Sequence, residues 1–165
     1  MELLTRLDIW RLLTWLPKWI LRRKYSEQRI AALVAVDLRP RNYPATVNLC
    51  STPTYDLWFQ IINMSPFEVE LDRAQIEFIC AGTTLETSYI QRKKIKPGDI
   101  SEIFVTGDIP EGKADAIAQR LDQTYSSVSI NMDFNCILHS FSKQCRNLEG
   151  VVARIINHGE RVNKT

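Results

Sequence analysis

One long alternation of apolar and polar residues constrains the fold of this chain more than any other feature. From residue 127 onward the odd positions up to 135 carry Ser, Asn or Asp, and the even positions carry Val128, Ile130, Met132, Phe134, Cys136 and Leu138. Side chains two residues apart point to the same face of a strand. The pattern therefore predicts a long antiparallel strand with one buried and one solvated face.

The same period of two recurs along most of the chain. It is clear over 55–61 and 74–80, and turn residues such as Pro97-Gly98-Asp99 separate such runs. Further strands are expected at 31–38, 84–92, 100–106 and 150–157. About seven short strands without βαβ alternation are typical of a two-sheet sandwich.

One segment has helical spacing instead. Ala114, Ile117, Ala118, Leu121 and Tyr125 recur every three to four residues after Pro110, which predicts a helix over 111–124. The predicted fold is therefore all-β: an antiparallel fibronectin- or immunoglobulin-like β-sandwich with one crossover helix and an N-terminal helical appendage.

The N-terminal segment differs from the rest in charge and in tryptophan content. Residues 1–29 carry seven Lys or Arg against three acids, whereas the other 136 residues carry fourteen against sixteen. Three of the four tryptophans lie in the first twenty residues. We therefore predict three parts: a Trp-rich membrane- or partner-docking segment (1–29), a β-sandwich domain (30–158) and a flexible tail (159–165).

A membrane surface is the environment that suits this segment best. As a spanning helix, its nine Leu and Ile residues would gain about 3–5 kcal/mol, but Asp8 and Arg11 would cost about 2.5–3.5 kcal/mol each. Lying at the interface keeps the charges hydrated, with a helix over 3–16 and a kink at Pro17. Docking on a protein and a true span stay open as alternatives. The predicted membrane-binding residues are Leu3, Leu7, Trp10, Trp15, Trp19, Arg22, Arg23 and Lys24.

A second basic cluster precedes the Pro97-Gly98 turn. Arg92, Lys93, Lys94 and Lys96 form the densest run of cations in the body, which indicates either a solvated loop or a contact for phosphate groups or an acidic partner. Trp58 is expected to point away from the core on its strand. It would then contact another element or an interface.

Catalytic and metal chemistry find little material in the sequence. Cys136, His139 and Cys145 have a spacing close to that of zinc ligands, but Cys136 and His139 would point to opposite faces of the strand. We expect no enzyme activity, no metal and no cofactor. The net charge of +2 disfavours a nucleic-acid partner. If the segment spanned, the basic cluster at 22–24 after it would hold the sandwich on the cytoplasmic side. We therefore expect a membrane-associated protein whose sandwich lies on the cytoplasmic side.

The order of features resembles the LEA14-like family (type 2 late-embryogenesis-abundant proteins, or the water-stress and hypersensitive-response domain). The resemblance covers roughly 31–157. It lies in the strand over 55–62 that runs into Asn63-Met64-Ser65-Pro66-Phe67, in the Lys96-Pro97-Gly98 turn, and in the helix before two long final strands. It implies a fibronectin-like sandwich without a catalytic centre, in stress protection or in membrane-tethered scaffolding and lipid-related roles.

Together these observations predict a non-catalytic, membrane-associated interaction or scaffolding module. Its partners would be an anionic lipid surface and another protein. Two alternatives stay open: a lipid- or amphiphile-binding protein with a cavity between its sheets, and a folded stress-protection protein. The sequence leaves the oligomeric state undetermined.

Overall fold

Two β-sheets pack face to face and enclose the hydrophobic core. The computed structural model describes residues 16–38, 44–123, 125–148 and 151–162, with the backbone alone at 160 and 162. Within these ranges the strands are β1 Val34–Leu38, β2 Ala45–Asn48, β3 Thr54–Asn63, β4 Val69–Cys80, β5 Thr83–Tyr89, β6 Lys93–Ile95, β7 Ile100–Asp108, β8 Ser126–Cys136, β9 Ser140–Leu148 and β10 Ala153–Ile156. The helices are α1 Lys18–Lys24, α2 Glu27–Ala32, α3 Glu111–Ala118 and α4 Gly159–Val162.

The first sheet is built around β3. One side of β3 pairs with β7 along its length, and the other side pairs with β2 through residues 54–57 and with β1 through residues 59–63. β10 lies beside β2 and runs parallel to it. The other pairs in this sheet are antiparallel. The predicted all-β sandwich is confirmed, with one parallel pair that the alternation could not indicate.

The second sheet is built around β4 and β8. β8 pairs with β4 on one side and with β9 on the other, while β5 and β6 follow one another along the outer side of β4. The register of β4 against β8 shifts between Leu71 and Arg73, which marks a β-bulge at Asp72. The alternation that the sequence predicts in β8 is confirmed, since Val128, Ile130, Met132 and Phe134 are all buried.

Aromatic side chains fill the space between the sheets. Tyr55 and Phe59 from β3, Phe78 from β4 and Phe134 from β8 are each at most 1% exposed. The rings of Tyr55 and Phe78 lie 5.8 Å apart, and Phe134 stacks on Phe141 at 5.3 Å. The first contact joins the two layers and the second lies within the second sheet, and apolar burial of this kind stabilises a sandwich.

The crossover helix is shorter than the sequence suggests. The helical spacing predicts a helix over 111–124, whereas α3 ends at Ala118 and is followed by turns. Ala114, Ile117 and Ala118 face the core.

The C-terminal residues differ from the prediction. A flexible tail is predicted for 159–165, whereas residues 159–162 form helix α4. Its Arg161 is held by Glu111 at 2.6 Å, Asp115 at 2.8 Å and the carbonyl oxygens of residues 49 and 50. Residues 163–165 lie outside the described residues.

The strands define two ends of the sandwich. At the first end lie the loops at 64–68, 96–99 and 137–139 together with α1 and α2, and we call it the helical end. The turn at 81–82, α3 and α4 lie at the other end, which we call the far end. The candidate site lies at the helical end.

Candidate functional site

Helices α1 and α2 pack against the sandwich at the helical end. Leu21 of α1 is 5% exposed and Ile30 of α2 is fully buried, and both belong to the same core as the strands. The predicted boundary between residues 29 and 30 lies inside α2. The N-cap of α2 is Ser26, whose hydroxyl accepts a hydrogen bond from the Arg29 backbone N–H at 3.4 Å.

The turn between β8 and β9 holds the junction of the two helices. Arg22 Nε donates to the carbonyl oxygen of Leu138 at 3.2 Å, and His139 Nε2 lies 3.0 Å from the carbonyl oxygen of Tyr25. Because a carbonyl oxygen can only accept, the His139 Nε2 atom carries the proton in this contact. The Tyr25 ring meets Phe67 edge-on at 5.2 Å. These three contacts fix the orientation of α1 relative to the sheets.

A lysine in β9 holds the end of α2. Lys143 Nζ donates to the carbonyl oxygen of Ala31 at 3.0 Å and also to that of Val34. Carbonyl groups in the last turn of a helix lack intrahelical partners and carry partial negative charge, so an ammonium group stabilises them. The cation thus joins α2, β1 and β9.

A buried asparagine joins two loops of the helical end. Asn63 is fully buried, and its Nδ2 donates to the carbonyl oxygens of Phe67 at 2.8 Å and Ile95 at 2.9 Å. Its Oδ1 accepts from the Ser65 hydroxyl at 2.6 Å, and its backbone carbonyl accepts from Gly98 N–H at 2.7 Å. The loop after β3 and the turn before β7 are therefore locked together.

The outer surface of α1 combines an aromatic side chain with cations. Trp19 is 67% exposed, and Arg22 and Arg23 follow it at three and four residues, so the three share one face of the helix. Lys24 ends the helix, with its ammonium 5.9 Å from the Tyr25 ring centre. Of the eight predicted membrane-binding residues, Trp19, Arg22 and Arg23 share this helix face, and Lys24 lies at the end of the same helix. Leu3, Leu7, Trp10 and Trp15 lie outside the described residues.

Two exposed apolar side chains at the same end were missed by sequence reasoning. Ile137 in the β8–β9 turn is 64% exposed, and Met64 after β3 is 53% exposed. The peptide of Leu138, next to Ile137, accepts from Arg22, and the Met64 N–H donates to the Leu33 carbonyl at 2.8 Å. A single apolar residue in a loop has no periodicity. In the sequence, such a residue is distinguished only by its position beside a turn.

Two of the four cations in the second basic cluster lie beside carboxylates. Arg92 Nε donates to Asp72 at 2.9 Å, and the Lys94 ammonium lies 3.8 Å from Glu68 and 4.0 Å from Glu70. Lys93 donates to the Glu102 carbonyl at the open edge of β7. Lys96 is exposed and has no ion pair within the described ranges. Of this predicted phosphate or acidic-partner site, Lys96 is the cation left for a partner at the helical end.

The prediction that Trp58 points away from the core is confirmed. It lies on the outer face of the first sheet between the buried Leu57 and Phe59, and its ring is 5.0 Å from that of Phe104. Phe104 is 49% exposed, and Ile100, four residues before it on β7, is 62% exposed.

The described residues contain no group of three or more His, Cys, Asp or Glu placed to hold a metal ion. His139 N–H donates to Cys136 Sγ at 3.4 Å, a contact within the turn.

The four cysteines are unpaired, and burial raises the pKa of Cys80 and Cys145, so both thiols are protonated near neutral pH. None of the helices in the described part of the chain is long and apolar enough to cross a bilayer.

Comparison with known proteins gives likenesses of fold only. No family model and no curated protein matches the chain. Among solved structures, a Northeast Structural Genomics Consortium target is 12% identical, with a TM-score of 0.47 over 70% of this chain and 85% of that one. The putative ApaA protein of Bordetella pertussis is 9% identical, with a TM-score of 0.43 over 73% and 89%. A putative late embryogenesis abundant protein solved in solution is also 9% identical, with a TM-score of 0.42 over 86% and 87%.

Proposed function

We propose that this chain is a non-catalytic, peripheral membrane protein that binds anionic phospholipid through its helical end and carries the sandwich as an interaction module. The observation that carries the proposal is helix α1. Leu21 anchors one face of α1 in the core, while Trp19 and Arg23 stand outside on the other. An aromatic side chain among cations on an exposed helix face is what an interfacial helix presents to headgroups.

Electrostatics and chain connectivity support the same orientation. Arg22, Arg23 and Lys24 lie in the last turn of α1, where each cation near an anionic leaflet contributes about 1 kcal/mol. The predicted membrane-binding residues before position 16 join the described chain at this end. The sandwich would then sit on the membrane with its partner-binding surfaces in water, on the side predicted to be cytoplasmic.

Vesicle sedimentation with the full chain tests the proposal. We expect binding to vesicles that contain phosphatidylserine, weaker binding to phosphatidylcholine alone, and a loss of binding as salt screens the charges. Removing two cations with R23Q/K24Q should weaken binding roughly 10-fold to 30-fold, at about 1 kcal/mol per charge. Trp19→Ala should also weaken binding, since it removes the aromatic contact at the interface.

Matched variants at the far end provide the control. Tyr125 is 69% exposed and Arg120 is also exposed, so Y125A and R120Q remove an aromatic ring and a cation from the opposite end of the sandwich. Both should bind vesicles as the wild type does. The proposal is wrong if the wild-type chain stays in the supernatant with anionic vesicles, or if the two sets of variants lose binding equally.

We also propose that the chain is a divergent member of the LEA14-like family. The two motifs that carry the resemblance, the Asn63 loop and the Pro97-Gly98 turn, are hydrogen-bonded to each other through Asn63.

The alternative function as an amphiphile-binding protein needs space between the sheets. The aromatic core residues Tyr55, Phe59, Phe78 and Phe134 occupy that space. No contact among the described residues supports stress protection by the folded domain.

A further inference from the structure

We propose that the sandwich itself enters the membrane surface, through Ile137 in the β8–β9 turn and Met64 in the loop after β3. This inference rests on the proposed function, because it extends the same lipid surface from α1 to two loops. It commits to a phospholipid interface as the occupant of these side chains. The two residues would act beside Trp19 and set the angle at which the protein stands on the bilayer.

The β8–β9 turn presents Ile137 on a fixed backbone. The N–H of Cys136 donates to the carbonyl of His139 at 2.8 Å, which closes the turn around Ile137. Arg22 Nε binds the Leu138 carbonyl and so joins the turn to α1. Ile137 is 64% exposed, whereas the next residue, Leu138, is 3% exposed. The turn thus buries one aliphatic side chain and holds the other in solvent beside the basic helix.

Met64 is held outward in the same way. Its neighbours Asn63 and Ser65 are polar, yet both are fully buried and hydrogen-bonded, while Met64 is 53% exposed. The usual assignment of apolar residues to the interior is reversed over these three positions. Because the Met64 N–H is bonded to the Leu33 carbonyl, the loop is tied to the end of α2. The exposure of Met64 therefore follows from the fixed loop.

The charges around these tips favour a phospholipid surface over a neutral protein surface. Exposed cations at this end include Lys18, Arg22, Arg23, Lys24 and Lys96, against the exposed acids Glu27, Glu68 and Asp99. Glu68 is already near Lys94. Apolar tips surrounded by cations match a bilayer interface, where headgroup phosphates meet the cations and side chains enter the acyl boundary. Residues 1–15, which contain Trp10 and Trp15, join the described chain at this same end.

Flotation of the full chain with phosphatidylcholine/phosphatidylserine vesicles tests the inference. Ile137→Glu places a carboxylate at the proposed point of entry and should weaken binding about 10-fold or more, and Met64→Glu should act in the same direction. Ile90→Glu is the matched control, because Ile90 is 77% exposed and lies between β5 and β6, away from the end of the sandwich. It should leave binding unchanged. Ile137→Ser, a milder change, should weaken binding less than Ile137→Glu.

The outcomes separate the two proposals. If the wild-type chain does not float with the vesicles, the proposed function fails. If the wild type floats and both Ile137→Glu and Met64→Glu float equally well, α1 acts without the loops and this inference is overturned. Equal losses in Ile90→Glu and Ile137→Glu would also overturn it, because added negative charge would then explain the effect. Thermal unfolding of each variant identifies losses that come from misfolding, and Ile137→Ser then decides between binding and stability.

Discussion

At the scale of single residues, Gly107 and Tyr55 show how one side chain of the core dictates its neighbour. The two residues face each other in the β3–β7 register. A Cβ atom on Gly107 would lie 2.5 Å from Tyr55 Cζ, so the ring occupies the space that any other residue would need. The Tyr55 hydroxyl is buried near Thr87 without reaching hydrogen-bond geometry with any described residue, and this burial raises its pKa. Tyr55 is thus placed for its ring rather than for its hydroxyl.

Gly107→Ala should therefore destabilise the fold by about 1–3 kcal/mol, because the Tyr55 ring has to move within a packed core. Gly112→Ala is the matched control. Its added methyl group meets no atom within 4 Å, and it lies in helix α3, where alanine is favoured over glycine by up to about 1 kcal/mol. Urea unfolding measures both changes. A Gly107→Ala protein as stable as the wild type would contradict this account of the contact.

Tyr55→Phe is the complementary change. It removes a buried hydroxyl that has no described partner, so the free energy of unfolding should stay within about 1 kcal/mol of the wild type or increase. The same urea series measures it. A large loss of stability would show that the hydroxyl has a partner in solution, for example Thr87.

At the scale of elements, the sequence predicts where strands lie better than it predicts which strands pair and in which direction. The period of two identified β3, β4 and β8, because each has one buried face and one wetter face. It could not indicate that β1 and β2 share one side of β3, or that β10 runs parallel to β2, since neither fact changes which face of a strand is apolar. Partners and directions depend on loops and on contacts between distant residues.

Lys143 is an example of such a contact. It lies on β9 between Phe141 and Cys145 on the inward side of the strand, where an alternation of apolar and polar residues predicts an apolar side chain. Its ammonium is satisfied by the carbonyl groups of Ala31 and Val34, more than a hundred residues away in sequence. The candidate site divides in the same way. Trp19 and the cations beside it were predictable from composition, whereas Ile137 and Met64 reach the surface only when three loops close at one end.

Lys143→Met should loosen α2 while leaving the sheets assembled. The variant keeps the apolar stem of the side chain and removes the charged hydrogen bonds to the end of the helix, which contribute about 1–3 kcal/mol in such settings. Hydrogen exchange should speed up in residues 27–34 more than in β4 and β8. Lys113→Met is the control, since Lys113 donates to Thr84 on the exposed surface and should affect exchange little. Equal exchange at α2 in the wild type and in Lys143→Met would rule out this role of the lysine.

At the scale of the whole molecule, residues 16–32 belong to the sandwich as much as to the N-terminal segment. Leu21 and Ile30 are in the core, Arg22 holds the β8–β9 turn, and Tyr25 packs on Phe67. Helix α1, which we propose faces the membrane, is thus continuous with the folded body. On the proposed lipid surface, a joint of this kind would hold the sheets at a fixed orientation to the bilayer, as a flexible linker could not.

Two truncations separate the proposed membrane binding of the N-terminal residues from their structural role. Removal of residues 1–15 keeps Leu21, Arg22 and Tyr25, so thermal unfolding should stay close to that of the full chain while binding to anionic vesicles weakens. Removal of residues 1–24 also takes away Leu21 and the hydrogen bond to the Leu138 carbonyl. Deletion of a buried leucine side chain alone costs about 2–5 kcal/mol, which corresponds to a fall in melting temperature of several degrees at least. Equal melting temperatures for the two truncations would mean that α1 is an appendage on an independent sandwich, because its core contacts would then contribute nothing to stability.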